Sequence, residues 1–353
     1  MSGMKEPGAL VEFDAVNIVF GSNPQAALPL MDQGLSREEI KEQTGQVLGV
    51  HDCSLSVAPG EIVVLMGLSG SGKSTLLRAV NGLNPVTRGA MRVAMGSGEG
   101  AEALDLATCD AQSLRRLRME RVAMVFQQFA LLPWRTVIDN VALGLELAGV
   151  EAAERRRRAE KQLELVHLQA WADRKVQELS GGMQQRVGLA RAFATQAPIL
   201  LMDEPFSALD PLIRNKLQDE LLELQERLNR TIVFVSHDLD EAVKLGSRIA
   251  IMEGGRIVQL DTPQNIVLRP ATPYVAEFVA HMNPLNVLHA AEVMRPLKPG
   301  ETPPAARQAP AETPLAELLR LRLAEASPLA IVKDGQAVGV VDEADLLRAL
   351  VRD

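Results

Sequence analysis

The sequence is poor in cysteine: Cys53 and Cys109 are the two in 353 residues, and neither lies in a CxxC or at a metal-ligand spacing. A disulfide-dependent secreted fold needs more, so the reducing cytosol is the expected compartment. Basic charge is short as well. Lys and Arg number 37 against 45 Asp and Glu, a net charge of -8, and a field of that sign disfavours nucleic acid as a partner. No basic flank followed by an apolar run opens the chain, and no window approaches the roughly 18 apolar residues of a membrane span. Work at a membrane would therefore go through a partner. What is present is an ordinary globular balance, 47% hydrophobic and 23% charged. The chain is long enough for two or three domains of roughly 100–200 residues each.

Apolar runs rich in β-branched residues recur along the chain: EIVVLM at 61–66, RVAMVF at 121–126, PILLM at 198–202, TIVFV at 231–235 and RIAIM at 248–252. Being continuous rather than alternating, they fit strands buried on both faces of a parallel sheet with helices packed over them, an α/β fold. Between the second and third runs lies a helical pattern over 136–168, with Leu163, Val166 and Leu168 close to helical spacing. It predicts a helical subdomain inserted in the sheet domain, over about residues 128–180, in which the arginines at 155–158 form a solvated helix face. Composition then changes. Six of the 20 prolines fall at 296–314, a stretch that cannot form a helix or a central strand and reads as a linker or irregular surface segment. After it, 315–324 has helical character, and 328–341 reads as strand, turn at Asp334 and Gly335, and strand, with a short helix from Asp342. The expected division is a domain over 1–285, then a linker and a small α+β module over 286–353.

GLSGSGKST at 67–75 fits GxxxxGK[ST], directly after EIVVLM and before the helical LLRAVNGL. Strand, loop and helix in that order are the context the motif demands. Gly67, Gly70 and Gly72, with Ser69 among them, let the backbone curl so that successive N–H groups point at phosphate oxygens, aided by the helix N-terminus. Lys73 would bridge the β- and γ-phosphates, Ser74 would ligate Mg²⁺, and Thr75 would add a phosphate contact. PILLMD ends in Asp203, where a carboxylate can hold the hydrated Mg²⁺, and Glu204 directly after it can serve as general base to the attacking water. Guanine specificity is disfavoured, because Asn215-Lys216 continues into Leu217-Gln218 with no acid in place of NKxD. In LSGGMQQ at 179–185, Ser180 can cap a helix whose first turn contains Gly181 and Gly182. That is a second anion-binding helix N-terminus. One phosphate chain needs only one P-loop, so the second is most economically explained if it reads the nucleotide of a partner subunit.

With these motifs in this order, joined by VFQQ at 125–128, LLMDEPFSALD at 200–210 and VSHD at 235–238, the chain resembles the ATPase subunits of ABC transporters over roughly residues 10–285. The resemblance implies a P-loop NTPase core of RecA-like fold with ATP and Mg²⁺ as cofactors. It implies that Gln127 senses Mg²⁺ and the transmembrane partner, that His237 contacts the γ-phosphate, that Asp210 lies at the dimer seam and that Phe20 stacks on adenine. It further implies a homodimer on the cytoplasmic face of the inner membrane, bound to a permease, served indirectly by an extracytoplasmic solute-binding protein, and without nucleic acid.

An insertion over 23–49, together with FALLPWRTVIDNVALGLELAGV and FSALDPLIR, resembles the ATPases of importers for quaternary amines such as choline, glycine betaine and proline betaine. The tail resembles a single CBS motif, where longer relatives carry two in tandem. Uptake of a quaternary amine is thus implied, choline ahead of glycine betaine. An ATPase for another solute would share every ATPase motif. A soluble ABC ATPase acting on DNA or ribosomes would usually carry long coiled coils, paired cassettes or basic extensions, which this sequence lacks. If the tail module stands alone, its strands over 329–332 and 337–341 should expose an apolar face that a second copy would cover.

Overall fold

The computed structural model describes residues 8–96, 102–127, 130–297, 307–325 and 327–351. By compactness the chain falls into two bodies, Met1–His237 with Ala250–Val258, and Asp238–Ile249 with Gln259–Asp353. Strands of the first body are β1 (Val11–Phe20), β2 (Val47–Val57), β3 (Ile62–Met66), β4 (Arg88–Ala94), β5 (Ala103–Asp105), β6 (Val122–Val125), β7 (Ile199–Asp203) and β8 (Thr231–Val235). β9 (Arg248–Glu253) and β10 (Arg256–Asp261) belong to it over Ala250–Val258.

One sheet is antiparallel, in the order β2-β1-β4-β5, and the other runs β10-β9-β3-β8-β7-β6. In the latter, β3, β8, β7 and β6 are mutually parallel. Every residue of β3, β7 and β8 is buried, which is why these strands read as unbroken apolar runs. All five runs expected as buried strands lie in this sheet. Helix Lys73–Ala79 follows β3, Gly181–Ala194 leads into β7, and Pro211–Leu228 joins β7 to β8.

Between β6 and β7 the helical pattern resolves into Val137–Leu147 and Ala152–Leu165. Thr136 caps the first, accepting from Asp139 N, and Glu151 caps the second, accepting from Ala153 N and Glu154 N. The arginine run does lie on a solvated face, with Arg157 and Arg158 paired to Glu154 at 2.8 and 2.6 Å. Gln128 and Phe129, within the expected subdomain, lie outside the described residues. The insertion between β1 and β2 forms helices Leu28–Asp32 and Arg37–Thr44. Val19, Ala27, Met31, Ile40 and Leu48 give it a small core of its own.

The second body carries helices Leu239–Leu245, Pro263–Leu268 and Pro273–Val279 and a small sheet of β11 (Arg295–Pro296), β12 (Gln308–Pro310), β13 (Leu329–Lys333) and β14 (Gln336–Val341). Its order is β11-β14-β13-β12, flanked by helices Leu315–Ala324 and Glu343–Val351. Asp334 and Gly335 turn β13 into β14 with φ of 52° and 76°, the left-handed conformations a two-residue hairpin turn requires. Two pieces of the proline-rich stretch do form strands, β11 and β12. Both are edge strands, where a residue without an N–H does not interrupt a ladder. Residues 298–306 of that stretch lie outside the described residues. One expectation is overturned: Leu329, Ala330, Ile331 and Val341 are buried within the chain. Leu315, Leu318 and Leu346 of the flanking helices are also buried, while Val332, Ala337 and Val338 stay half-buried, so the chain itself covers most of the apolar face that a second copy was expected to cover.

Candidate nucleotide site

β3 ends at Met66, and the chain turns through a glycine-rich loop into helix Lys73–Ala79. A Cβ at Gly67 would stand 2.2 Å from the Met252 carbonyl oxygen, and one at Gly72 would stand 2.6 Å from that of Gly49. With φ of 141° and 100° as well, these two positions accept only glycine. The loop is thereby laid directly on neighbouring backbone. Lys73 is buried at its end, and its Nζ donates to Gly67 O at 2.8 Å and Leu68 O at 2.9 Å. Burial pushes the Lys73 pKa down, opposed by the carboxylates of Glu204 and Asp203. The ammonium is thus held by neutral carbonyls that phosphate oxygens can replace with gain. Ser71 Oγ, also buried in the loop, has no hydrogen-bond partner.

In the first turn of the helix, Ser74 Oγ donates to Asp203 Oδ1 at 2.7 Å. Asp203, fully buried at the end of β7, also accepts from Arg78 Nη2 at 2.9 Å. Glu204, directly after it, has a left-handed φ of 47°, a conformation that costs energy for a side-chain-bearing residue and collects at functional sites. Its backbone N–H is tied to Val235 O at 3.1 Å. Its Oε2 accepts from Gln127 Nε2 at 3.1 Å and lies 3.4 Å from His237 Nδ1. Gln127 leaves the end of β6 and His237 the end of β8, so the carboxyl ends of adjacent parallel strands bring Gln127, Glu204 and His237 together. Crevices at such strand ends are where open α/β sheets bind ligands.

Phe20, at the end of β1, is 38% exposed. A Cβ on Gly49 would lie 2.7 Å from its ring and 3.2 Å from Thr75 Cγ2, which sets Phe20 on the same side as the phosphate loop. Ser180, Gly181, Gly182 and Asp210 are placed differently. Ser180 Oγ accepts from Met183 N at 3.4 Å, capping helix Gly181–Ala194, and Asp210 caps Pro211–Leu228 through Ile213 N at 3.1 Å. Ser180, Gly181 and Asp210 are exposed.

Residues 50–207 match the family model described as ABC transporter. The chain is 51% identical over 277 residues to the ATP-binding protein of the glycine betaine/proline betaine transport system of Escherichia coli K12, covering 78% of this chain and 67% of that one. It is 45% identical over 335 residues to the ATP-binding protein of the trimethylamine N-oxide transport system of Ruegeria pomeroyi, covering 95% of each. Among solved structures it is similar to an ATP-binding cassette determined as a dimer in a post-hydrolysis state with ADP and Pi, with a TM-score of 0.61 and 30% identity over 72% of this chain and 98% of that one. The chain belongs to the ATP-binding subunits of ABC transport systems. As an ABC ATPase it hydrolyses ATP, and none of its helices, among the described residues, is long and apolar enough to cross a membrane.

Two residues around the ATPase site escaped the sequence reading. Arg78 is the ion-pair partner of Asp203; its signal was its position four residues after Ser74, on the same helix face. Gln185 is fully buried and donates to Glu204 O at 3.4 Å, its own Oε1 lacking a partner. It stands in LSGGMQQ, where the neighbouring Gln184 is an equally good candidate by sequence. That residue donates instead to Leu179 O, just ahead of the helix.

Proposed function

We propose that this ATPase drives uptake of a small solute bearing a fully substituted, positively charged nitrogen. Glycine betaine, proline betaine and trimethylamine N-oxide, named for the relatives above, share that feature, and so does choline. The match over 95% of both chains to the trimethylamine N-oxide protein, tail included, supports the class. The chemical reading is carried by one observation: Glu204, one residue beyond the Asp203 that Ser74 touches, sits between Gln127 and His237.

Ser74 and Asp203 would hold Mg²⁺. Their hydroxyl and carboxylate oxygens stand 2.7 Å apart and are the hard ligands that ion takes, together with water and substrate phosphates. When bound it supplies charge neutralisation to the phosphates. Lys73 exchanges its loop carbonyls for phosphate oxygens, the N–H groups of the loop from Gly67 through Gly72, Ser69 and Gly70 included, cradle the chain, Thr75 adds a phosphate contact, and Phe20 stacks on adenine. Water attacks the γ-phosphorus as the bond to the β–γ bridging oxygen breaks, so that ADP leaves with that oxygen and inorganic phosphate forms, and the proton of the water passes to the Glu204 carboxylate. Gln127 and His237 hold that carboxylate and the attacked phosphate in register. Ser180, Gly181 and Gly182 of one subunit face the nucleotide of the other across a homodimer whose seam includes Asp210, an arrangement supported by the dimeric cassette. The dimer works at the cytoplasmic face of the membrane beneath a permease fed by a solute-binding protein, with the module over 286–353 attached as a CBS-like unit.

Reconstitution in liposomes with the permease and binding protein encoded beside it tests this. ATP hydrolysis should rise when glycine betaine, trimethylamine N-oxide or choline is supplied. Stimulation by an amino acid or sugar and by none of these amines would reject the solute class, and stimulation by DNA or ribosomes with no permease would reject transport altogether.

A further inference from the structure

We infer that Arg37, the first residue of the inserted helix Arg37–Thr44, is a positioning residue for the phosphate loop and sets how tightly the ATPase holds ATP. Its guanidinium joins two parts of the nucleotide site. On one side Nη1 donates to the Gly70 carbonyl in the loop at 3.1 Å; on the other, Nε and Nη2 both donate to Leu48 O, at 2.8 and 2.5 Å, with Nη2 also 3.4 Å from Gly49 O. Leu48 and Gly49 belong to β2, and Gly49 is the residue wedged between Phe20 and Thr75. One planar fork therefore links the adenine-side strand to the phosphate loop. This role rests on the reading that residues 67–75 bind the phosphates of ATP.

The loop needs such a tie. Gly70 has φ of 79° and open space where a side chain would be, so packing does not hold it. The peptide between Gly70 and Ser71 is instead gripped from both ends: its carbonyl by Arg37, and its N–H, that of Ser71, by Leu68 O at 3.2 Å. A fixed peptide orientation fixes which N–H groups of the following turn face the phosphates, and a cradle ordered in advance spends less of its binding energy on ordering. Arg37 is itself held. Ser36 and Glu39 form a reciprocal capping box around its backbone, and Ile40, one turn on, is buried in the insertion's own core. A lysine would carry the charge, but its compact head lacks the planar fork that spans two carbonyls.

ATP affinity and kcat of the full chain, measured for R37A, R37K, I40A and K73A, decide the matter. R37A should bind ATP about 10-fold more weakly, the scale of one charge-assisted hydrogen bond, with kcat at saturating ATP near parental. R37K should recover part of the loss, and it carries the test if R37A fails to fold. I40A, which loosens the insertion while keeping the guanidinium, should bind ATP more tightly than R37A. Parental affinity in R37A or R37K overturns the role of Arg37, provided that K73A has lost ATP. An I40A as weak as R37A overturns it too, because the insertion's packing would then be the cause. Parental affinity in K73A instead removes the phosphate-loop reading itself.

Discussion

The helix N-termini at Lys73 and at Gly181 both lie within glycine-bearing motifs, yet they are finished in opposite ways. At the first, the cation is already in place: Lys73 is buried against its own loop carbonyls, Ser74 is bonded to Asp203, and Arg37 grips Gly70. At the second, Ser180 and Gly181 are exposed, and a Cβ on Gly181 would meet nothing within 4 Å. A site that one chain completes has most of its polar groups pre-paired, Ser71 Oγ being the exception in this loop, since a buried donor or acceptor left alone is costly. A site that a second chain completes must leave its groups to solvent until that chain arrives. The closed end fits the nucleotide's own cradle, and the open end fits half of a partner's.

The largest effect that bears on this contrast is at Glu204. Glu204→Gln keeps the cradle and removes the proton acceptor, so hydrolysis should fall by about 10²–10⁴-fold while ATP still binds. ATP should then trap a dimer visible by size-exclusion chromatography, with the open end covered. Turnover within about threefold of the parent would remove Glu204 from the role of base. Next comes Ser180→Arg, which should leave ATP binding by its own chain intact and abolish turnover. Mixed in excess with Lys73→Ala chains, it should restore activity, because an intact loop then faces an intact signature once per heterodimer, giving about half the sites of the parental dimer. A rate per subunit that stays constant on dilution, from a chain shown to be monomeric, would break the contrast between closed and open ends.

How much of this could be read without coordinates differs between the two sheets. β3, β7 and β8 are buried at every position, and the sequence shows it as apolar runs followed by chemistry: GLSGSGKST after β3, Glu204 after β7, His237 after β8. The antiparallel sheet gave no such signal. β1 mixes buried and exposed positions and shifts register against β2 several times, so neither period is clean, and β5 is three residues long. Contacts between remote residues were equally hidden. Arg78 and Asp203 lie 125 positions apart, and Arg37 and Gly70 lie 33 apart; the spacing of Arg78 from Ser74 hints at the first contact, and nothing in the local pattern hints at the second. In the tail the hairpin turn was legible because Asp-Gly demands left-handed φ. The burial of β13 depended on which way the helices packed, and a run of apolar residues does not say that.

A smaller effect concerns the floor under the open end. Helix Gly181–Ala194 is tied by Arg186 Nη1 to Val166 O at 3.1 Å, beside His167, whose Nε2 is 3.7 Å from Glu220 Oε1 on helix Pro211–Leu228. The other Glu220 oxygen, Oε2, is buried with no hydrogen-bond partner. Burial raises the Glu220 pKa; His167 and Lys216 pull it back, and Glu223 and Asp219 push it further up. Above the ordinary carboxylate value, a carboxyl so raised binds more protons folded than unfolded, so its contribution to stability falls as pH rises through the raised pKa. Below the ordinary value both states are protonated and the penalty is gone. Glu220→Gln, neutral at every pH, should therefore raise the unfolding temperature by about 1–2 °C near pH 7.5 and leave it unchanged near pH 4. Thermal unfolding of the two chains at both pH values checks this. Equal melting at pH 7.5 would mean that water already satisfies Glu220 and that its burial carries no penalty.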